Sequence, residues 1–138
     1  MSVADGCVFS TVISEPPMED AGLFTWDLTK DILYADGALA KLFGLDALEA
    51  EQGLPIQAYI CRVHEDDAPD LAKRISDAII AKHPTEQNYR VKQGDGSYVS
   101  VAAYGRCFRN RHGEPVHYAG IVIPKDVFPV GPGAAFLQ

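Results

Sequence analysis

The sequence predicts an α+β fold: one antiparallel sheet with its helices grouped over one face. Three observations lead there. Two short runs with strand-like alternation, "LFTWDL" and "ILYA", flank a polar turn. One long amphipathic helix, Asp67 to Lys82, sits in the middle of the chain. Three strand-like runs, separated by glycine-bearing turns, then follow as consecutive hairpins.

Residues 1–20 form an irregular lead. "CVFSTVIS" is strand-like in composition, and the two prolines of "EPPMED" interrupt it by removing donors and fixing φ. In "GLFTWDLTKDILYA", Phe24, Trp26 and Leu28 alternate with Thr25 and Asp27, which signals a strand. Thr29-Lys30-Asp31 is a tight turn, and "ILYA" completes a hairpin. Asp36 has the character of an N-cap, Leu39, Leu42 and Phe43 give a short helix face, and Gly44 ends it. Short helical pieces occupy residues 45–63.

In the long helix, Ala68, Leu71, Ala72, Ile75, Ala78 and Ile79 make one apolar stripe. Asp70, Lys73, Arg74 and Asp77 occupy the opposite face at pairing distances. Asp66 or Asp67 is the expected N-cap, and His83-Pro84 the stop. "TEQNYRVKQ", "SYVSVAAYGRCFR" and "VHYAGIVI" are the last three strands, joined at "GDG" and "NRHGEP" into a meander. This gives a lead over 1–20, a domain over 21–124 and a Gly/Pro-rich tail over 125–138.

Composition excludes several function classes. The chain has 138 residues and a formal net charge of −7, which disfavours a phosphate backbone or an anionic membrane as partner. Three widely spaced cysteines, Cys7, Cys61 and Cys107, suit a reducing compartment. No charged segment precedes an apolar run near the start, and no apolar run approaches the ~18 residues of a membrane span. A cytoplasmic protein is the expectation. No Ser-His-Asp or Cys-His arrangement and no phosphate-cradling glycine loop stands out, so the chain reads as a non-enzyme.

The same stretches resemble the PAS family of sensory domains over roughly Gly22 to Ile123. "GLFTWDLTKDILYA" is similar to its opening hairpin, and "VHEDD" to its His-Pro-x-Asp entry to the long helix, with Glu65 in place of proline. "EQNYRVKQGDGSYVSV" and "NRHGEPVHYAGIVI" are similar to its last strands. Ser100 stands where many relatives carry tryptophan, and Pro124-Lys125-Asp126 where they carry Asp-Ile-Thr, the usual link to an output domain. The resemblance implies a five-stranded sheet of order 2-1-5-4-3 and a ligand cavity between sheet and helices. It also implies a sensory or regulatory module of bacterial-type signal transduction, partnered by a kinase or regulator. The alternative is a ligand-free dimerisation module.

Two cofactor positions follow from the resemblance. Cys61-Arg62 is similar to the cysteine-arginine pair of flavin-binding relatives. The flanking residues differ, however, and Val91, Val101 and Val122 stand where those relatives place amides. Valine offers nothing to a flavin edge, so Cys61 reads as a buried small hydrophobe. Haem-binding relatives take a histidine from the long helix. That position falls nearer Ala81, and His83 reads as a partner of the helix dipole. No cofactor and no metal is expected. "HEDD" reads as a helix entrance, with His64 fixing the loop by a hydrogen bond.

Alternation puts Val91, Val99, Val101, Ala103 and Val122 on the inner face of the sheet. Ile75 and Ile79 are expected opposite them, with Leu42, Phe43 and Tyr59 closing the side, around a pocket for a small apolar ligand centred on Val101. Tyr98, Ala102, Tyr104, Ile121 and Ile123 have the opposite parity, so the outer face is also apolar. A homodimer through that face is the expectation, with Val8 and Val12 of the lead taking part.

Overall fold

A computed structural model describes residues 21–125. Strands β1 (Gly22–Asp27) and β2 (Ile32–Ala35) form the first hairpin. Helices α1 (Gly37–Leu42), α2 (Ala47–Gln52) and α3 (Ile56–Ile60) are short, and α4 (Ala68–Ile80) is the long one. Strands β3 (Thr85–Lys92), β4 (Tyr98–Arg109) and β5 (Pro115–Pro124) complete a single antiparallel sheet of order β2-β1-β5-β4-β3. Fold class and strand order are therefore those expected. No helix among the described residues is long and apolar enough to cross a membrane.

Local chemistry sets the element ends. The Asp27 carboxylate accepts from the backbone N–H groups of Thr29 and Lys30, which closes the first hairpin. Asp36 caps α1 as expected, accepting from Leu39 N–H at 3.0 Å, and it also accepts from Leu23 N–H at 3.2 Å. One carboxylate thus starts the helix and ties it to β1. Gly44, at φ 65°, ends the helix in the left-handed region that favours glycine.

The long helix departs from expectation in four ways. It spans Ala68–Ile80, shorter than the expected Asp67 to Lys82, and its N-cap Asp67 makes no capping bond to its own helix. Ala72 is exposed: with Leu71, Ile75 and Ala78 turned inward, a residue ~100° round from Leu71 points away. At the other end, His83 is exposed and its ring lies 3.0 Å from the Pro84 carbonyl. The cation at the helix C-terminus is Arg109, which donates to the carbonyls of Ile79 at 2.8 Å and Ile80 at 3.2 Å. A β-bulge at Phe108/Arg109 redirects β4 at that point.

Loop backbone pairs with part of each edge of the sheet. Leu33 of β2 exchanges backbone hydrogen bonds with Leu54, at 2.7 and 3.0 Å. Along β3, His64 N–H donates to Arg90 O at 2.8 Å, and Lys92 N–H donates to Arg62 O at 2.7 Å. Exposed edges invite pairing with another chain, and here loop backbone occupies part of each.

The core lies between the inner sheet face and the helices. Leu33, Leu39, Phe43, Tyr59, Leu71, Val91, Val101 and Val122 are buried there. Val101 is fully buried. An isolated charge at such a site costs several kcal/mol. Val101→Asp is therefore expected to unfold the chain or lower its melting temperature steeply. Unchanged thermal melting would place Val101 on the wrong face.

Candidate functional site

A cavity of about 80 Å³ lies between the sheet and the helices. Its floor is the inner face: Phe24 and Trp26 of β1, Gln87 and Tyr89 of β3, Ala103 and Gly105 of β4, and Tyr118 and Val122 of β5. Its roof is Ile56, Tyr59 and Ile60 of α3, Val63, and Leu71 and Ile75 of α4. Leu33, Leu39 and Phe43 close one side. One water needs roughly 10–15 Å³ of such space, so a small molecule fits.

The hollow follows from small residues at the middle of the floor. Gly105 pairs with Gly120 across β4 and β5, and Ala103 with Val122. A Cβ on Gly105 would lie 2.7 Å from the Tyr118 ring, so glycine there is what lets that ring lie flat along the strand. Aromatic side chains surround the gap. Phe24 stacks on Tyr118 at 6.2 Å, and Phe43 meets Tyr59 edge-on at 5.4 Å. The Trp26 indole N–H donates to the Asp31 carboxylate at 2.9 Å, which fixes that ring in the wall.

The lining contains no charged side chain; its polar groups are three tyrosines, one tryptophan and one glutamine. Burial pushes the Tyr59 hydroxyl up to about 12. Burial, helped by the neighbouring Tyr118, also raises Tyr89. Tyr118 rises through burial, offset in part by its 2.7 Å hydrogen bond with the Thr85 hydroxyl. All three remain neutral phenols near pH 7. Gln87 Oε1 and Tyr59 Oη are buried and have no hydrogen-bond partner among the described residues.

The family model described as the PAS fold matches residues 32–122. The chain belongs to the PAS-fold family. Among solved structures, it is similar to the N-terminal domain of a Marinobacter aquaeolei diguanylate cyclase with a PAS/PAC sensor. That match has a TM-score of 0.67 and 17% identity, covering 75% of this chain and 94% of that one. A sensory box histidine kinase/response regulator from Burkholderia thailandensis matches with a TM-score of 0.66 and 20% identity, covering 85% and 83%. The PAS-B domain of Drosophila melanogaster Cycle with bound ethylene glycol matches with a TM-score of 0.60 and 17% identity, covering 75% and 98%. No curated protein matches the chain.

Within this PAS fold the expected pocket residues divide. Phe43, Tyr59, Ile75, Ala103 and Val122 line the cavity. Val91, Val99 and Val101 lie on the inner face and are buried, but they fill the space at the far end instead of bordering it. The Val63–Val91 bridge brings the roof backbone alongside the edge of the floor there. Leu42 is buried outside the lining, and Ile79 is half-buried one turn beyond Ile75, past the end of the cavity. The cavity is thus centred nearer Ala103 and Gly105 than Val101. Gln87 and Tyr89, which were not anticipated, were within reach of the period-two rule. They lie four and two residues before Val91 and pair with Ala103 and Val101.

On the outer face, Tyr98 and Tyr104 are exposed, Ile121 and Ile123 half-buried, and Ala102 buried. Val8 and Val12 lie outside the described residues. Cys61 is exposed, not buried, because Tyr59 and Val63 take the inward positions of this one-turn segment. His83 is not part of the cavity lining.

The acidic run at the entrance to α4 has a structural task. Asp67 receives three hydrogen bonds from Arg90, from its backbone N–H, Nε and Nη2, each at 2.9 Å. His64 fixes the loop as expected, accepting at Nδ1 from Asp66 N–H at 3.0 Å. Arg62 donates to the carbonyls of Phe43 at 2.8 Å and of Lys92 and Gln93 at 3.1 Å. Among the described residues, no three His, Cys, Asp or Glu side chains gather as a metal site.

The Arg90 hydrogen bonds lower the Asp67 carboxyl from its ordinary value of 3.8 to about 2. A carboxyl depressed in the folded chain contributes stability that is complete above its unfolded value and disappears as pH falls toward the folded one. Melting temperature should therefore fall between about pH 4 and pH 2, and Asp67→Asn should remove part of that fall. Parallel pH profiles for the two proteins would contradict the assignment.

Proposed function

We propose that this PAS domain is a sensory module of a signalling system and that its cavity binds a small, neutral, largely apolar molecule. The observation that carries this reading is the cavity itself: about 80 Å³, walled by apolar and aromatic side chains, with no charged one. Concave apolar sites with a few polar groups are the usual form of small-molecule sites. A charged ligand would lose its hydration there without gaining a partner. The similar chains point the same way, since two belong to a sensory histidine kinase and a diguanylate cyclase, and a third holds ethylene glycol. The output partner on this reading is a kinase or regulator, and the site is non-catalytic.

The reading includes no haem or flavin. Val91, Val101 and Val122 give a flavin edge no hydrogen bond, and His83 stands at the surface beyond α4. Freshly purified chain is expected to be colourless, with native mass spectra carrying a small added mass that denaturing conditions release. Visible haem or flavin bands would contradict the cofactor reading. An adduct-free spectrum, with no stabilisation by any small neutral molecule, would favour an interaction module.

A second reading concerns association. Loop backbone already pairs with Leu33 on one sheet edge and with Arg90 and Lys92 on the other, which leaves the outer face as the broader surface for another chain. The outer face carries Leu23, Tyr104 and Phe108 exposed, with Ile121 between them in the register of β1, β5 and β4. A self-complementary apolar patch of this kind suits a two-fold homodimer. Light scattering at high micromolar concentration should give a dimer, and Ile121→Lys a monomer. A monomeric full-length chain would exclude the homodimer. A dimer that persists without residues 1–20 would exclude the lead as an essential part of it.

A further inference from the structure

Gln87 and Tyr59 each hold a buried polar atom without a partner among the described residues, Gln87 Oε1 and Tyr59 Oη, and both residues line the cavity. Unpaired buried polar atoms are few in folded proteins, and each points to a missing partner. The two ask for different things. A hydroxyl can donate or accept, whereas an amide oxygen only accepts. The lining contains no Lys, Arg, His, Ser or Thr. The Trp26 N–H is committed to Asp31, and the Tyr118 hydroxyl is engaged with Thr85. The lining also holds the Tyr59 and Tyr89 hydroxyls, but neither makes a hydrogen bond to Gln87 Oε1.

From this we infer that the ligand carries a hydrogen-bond donor and is recognised through it by Gln87 Oε1: a neutral, single-ring molecule bearing one hydroxyl or N–H group. The inference rests on the sensory reading above and narrows it. Gln87 lies on β3 opposite Ala103, beside the hollow left by Ala103 and Gly105, so its amide is at the floor where a ring would rest. The terminal torsion of glutamine is broad. The amide can turn toward a ligand without moving the strand. A site that presents a buried acceptor discriminates strongly against an analogue lacking the donor, because the acceptor is then left unpaired.

Three probes of similar size separate the possibilities: phenol, a donor; anisole, an acceptor without a donor; and toluene, neither. Titration of the full chain, followed by amide NMR shifts, gives a dissociation constant for each. Toluene is the most apolar, so hydrophobic transfer alone would favour it. The expected result is the reverse, with phenol at least tenfold tighter than toluene and anisole. In Gln87→Leu the gap should close to less than threefold, and this variant should melt at or above the wild type because an unpaired acceptor has gone. If Gln87→Leu fails to fold, Gln87→Met carries the same comparison. Toluene binding as tightly as phenol would overturn the inference and leave the cavity reading standing. Anisole matching phenol would mean that the amide presents its N–H, which also overturns it. A phenol preference that survives in the variant would overturn the role of Gln87. Failure of all three probes at millimolar concentration would sink the cavity reading itself.

Discussion

Asp67 gives its carboxylate to Arg90 instead of to its own helix, and the placement of α4 follows from that. Three hydrogen bonds of 2.9 Å join the first turn of the helix to β3. The segment before it, Arg62 to His64, runs along the free edge of the same strand and pairs with it. The Asp67–Arg90 pair is partly exposed, with side chains 22% and 42% accessible, so solvent screening keeps its direct contribution to stability small. Its larger effect is geometric. It fixes the height of α4 over the sheet at one end, while Arg109 holds the carbonyls of Ile79 and Ile80 at the other.

A helix held at both ends by polar contacts does not have to settle onto the sheet to be positioned. That leaves room beneath it. The room persists because the floor at that point is Ala103 and Gly105, too small to reach the roof, while two of the aromatic side chains around them are anchored by hydrogen bonds. Trp26 is held by Asp31 and Tyr118 by Thr85. At the Val91–Val99 end the same sheet is filled, because valines stand where Ala103 and Gly105 leave space. The cavity and the close-packed core are two outcomes of one alternation, differing only in side-chain volume.

The fold was legible in the sequence because its signals are local: a hairpin turn set by Asp27, a helix started by Asp36, and a meander whose parity survives from Val91 to Val122. The family motifs ordered those pieces. The entrance motif and the "YR" of β3 were visible separately, but their joining as an ion pair is a contact across 23 residues that no spacing rule reveals. The site was legible only in part. Parity puts the valines inward but says nothing of how the space above them is filled, so it points to Val101 as the centre, whereas Ala103 and Gly105 leave the gap. Cys61 was misplaced for a related reason: a single helical turn has too few residues for periodicity to say which side faces in. The C-terminal partner of α4 came from a distant hairpin, and His83, the local candidate, turned out to be exposed.

The central claim is that the space under α4 is a site open to small apolar molecules, and xenon tests it without presuming a ligand, since apolar cavities take it up. Methyl NMR spectra of the full chain recorded under xenon pressure should show saturable shifts for Leu71, Ile75 and Val122, with Val99 and Ile121 unmoved. Shifts confined to Ile121 and its outer-face neighbours, or no saturable shift at Ile75 and Val122, would contradict it.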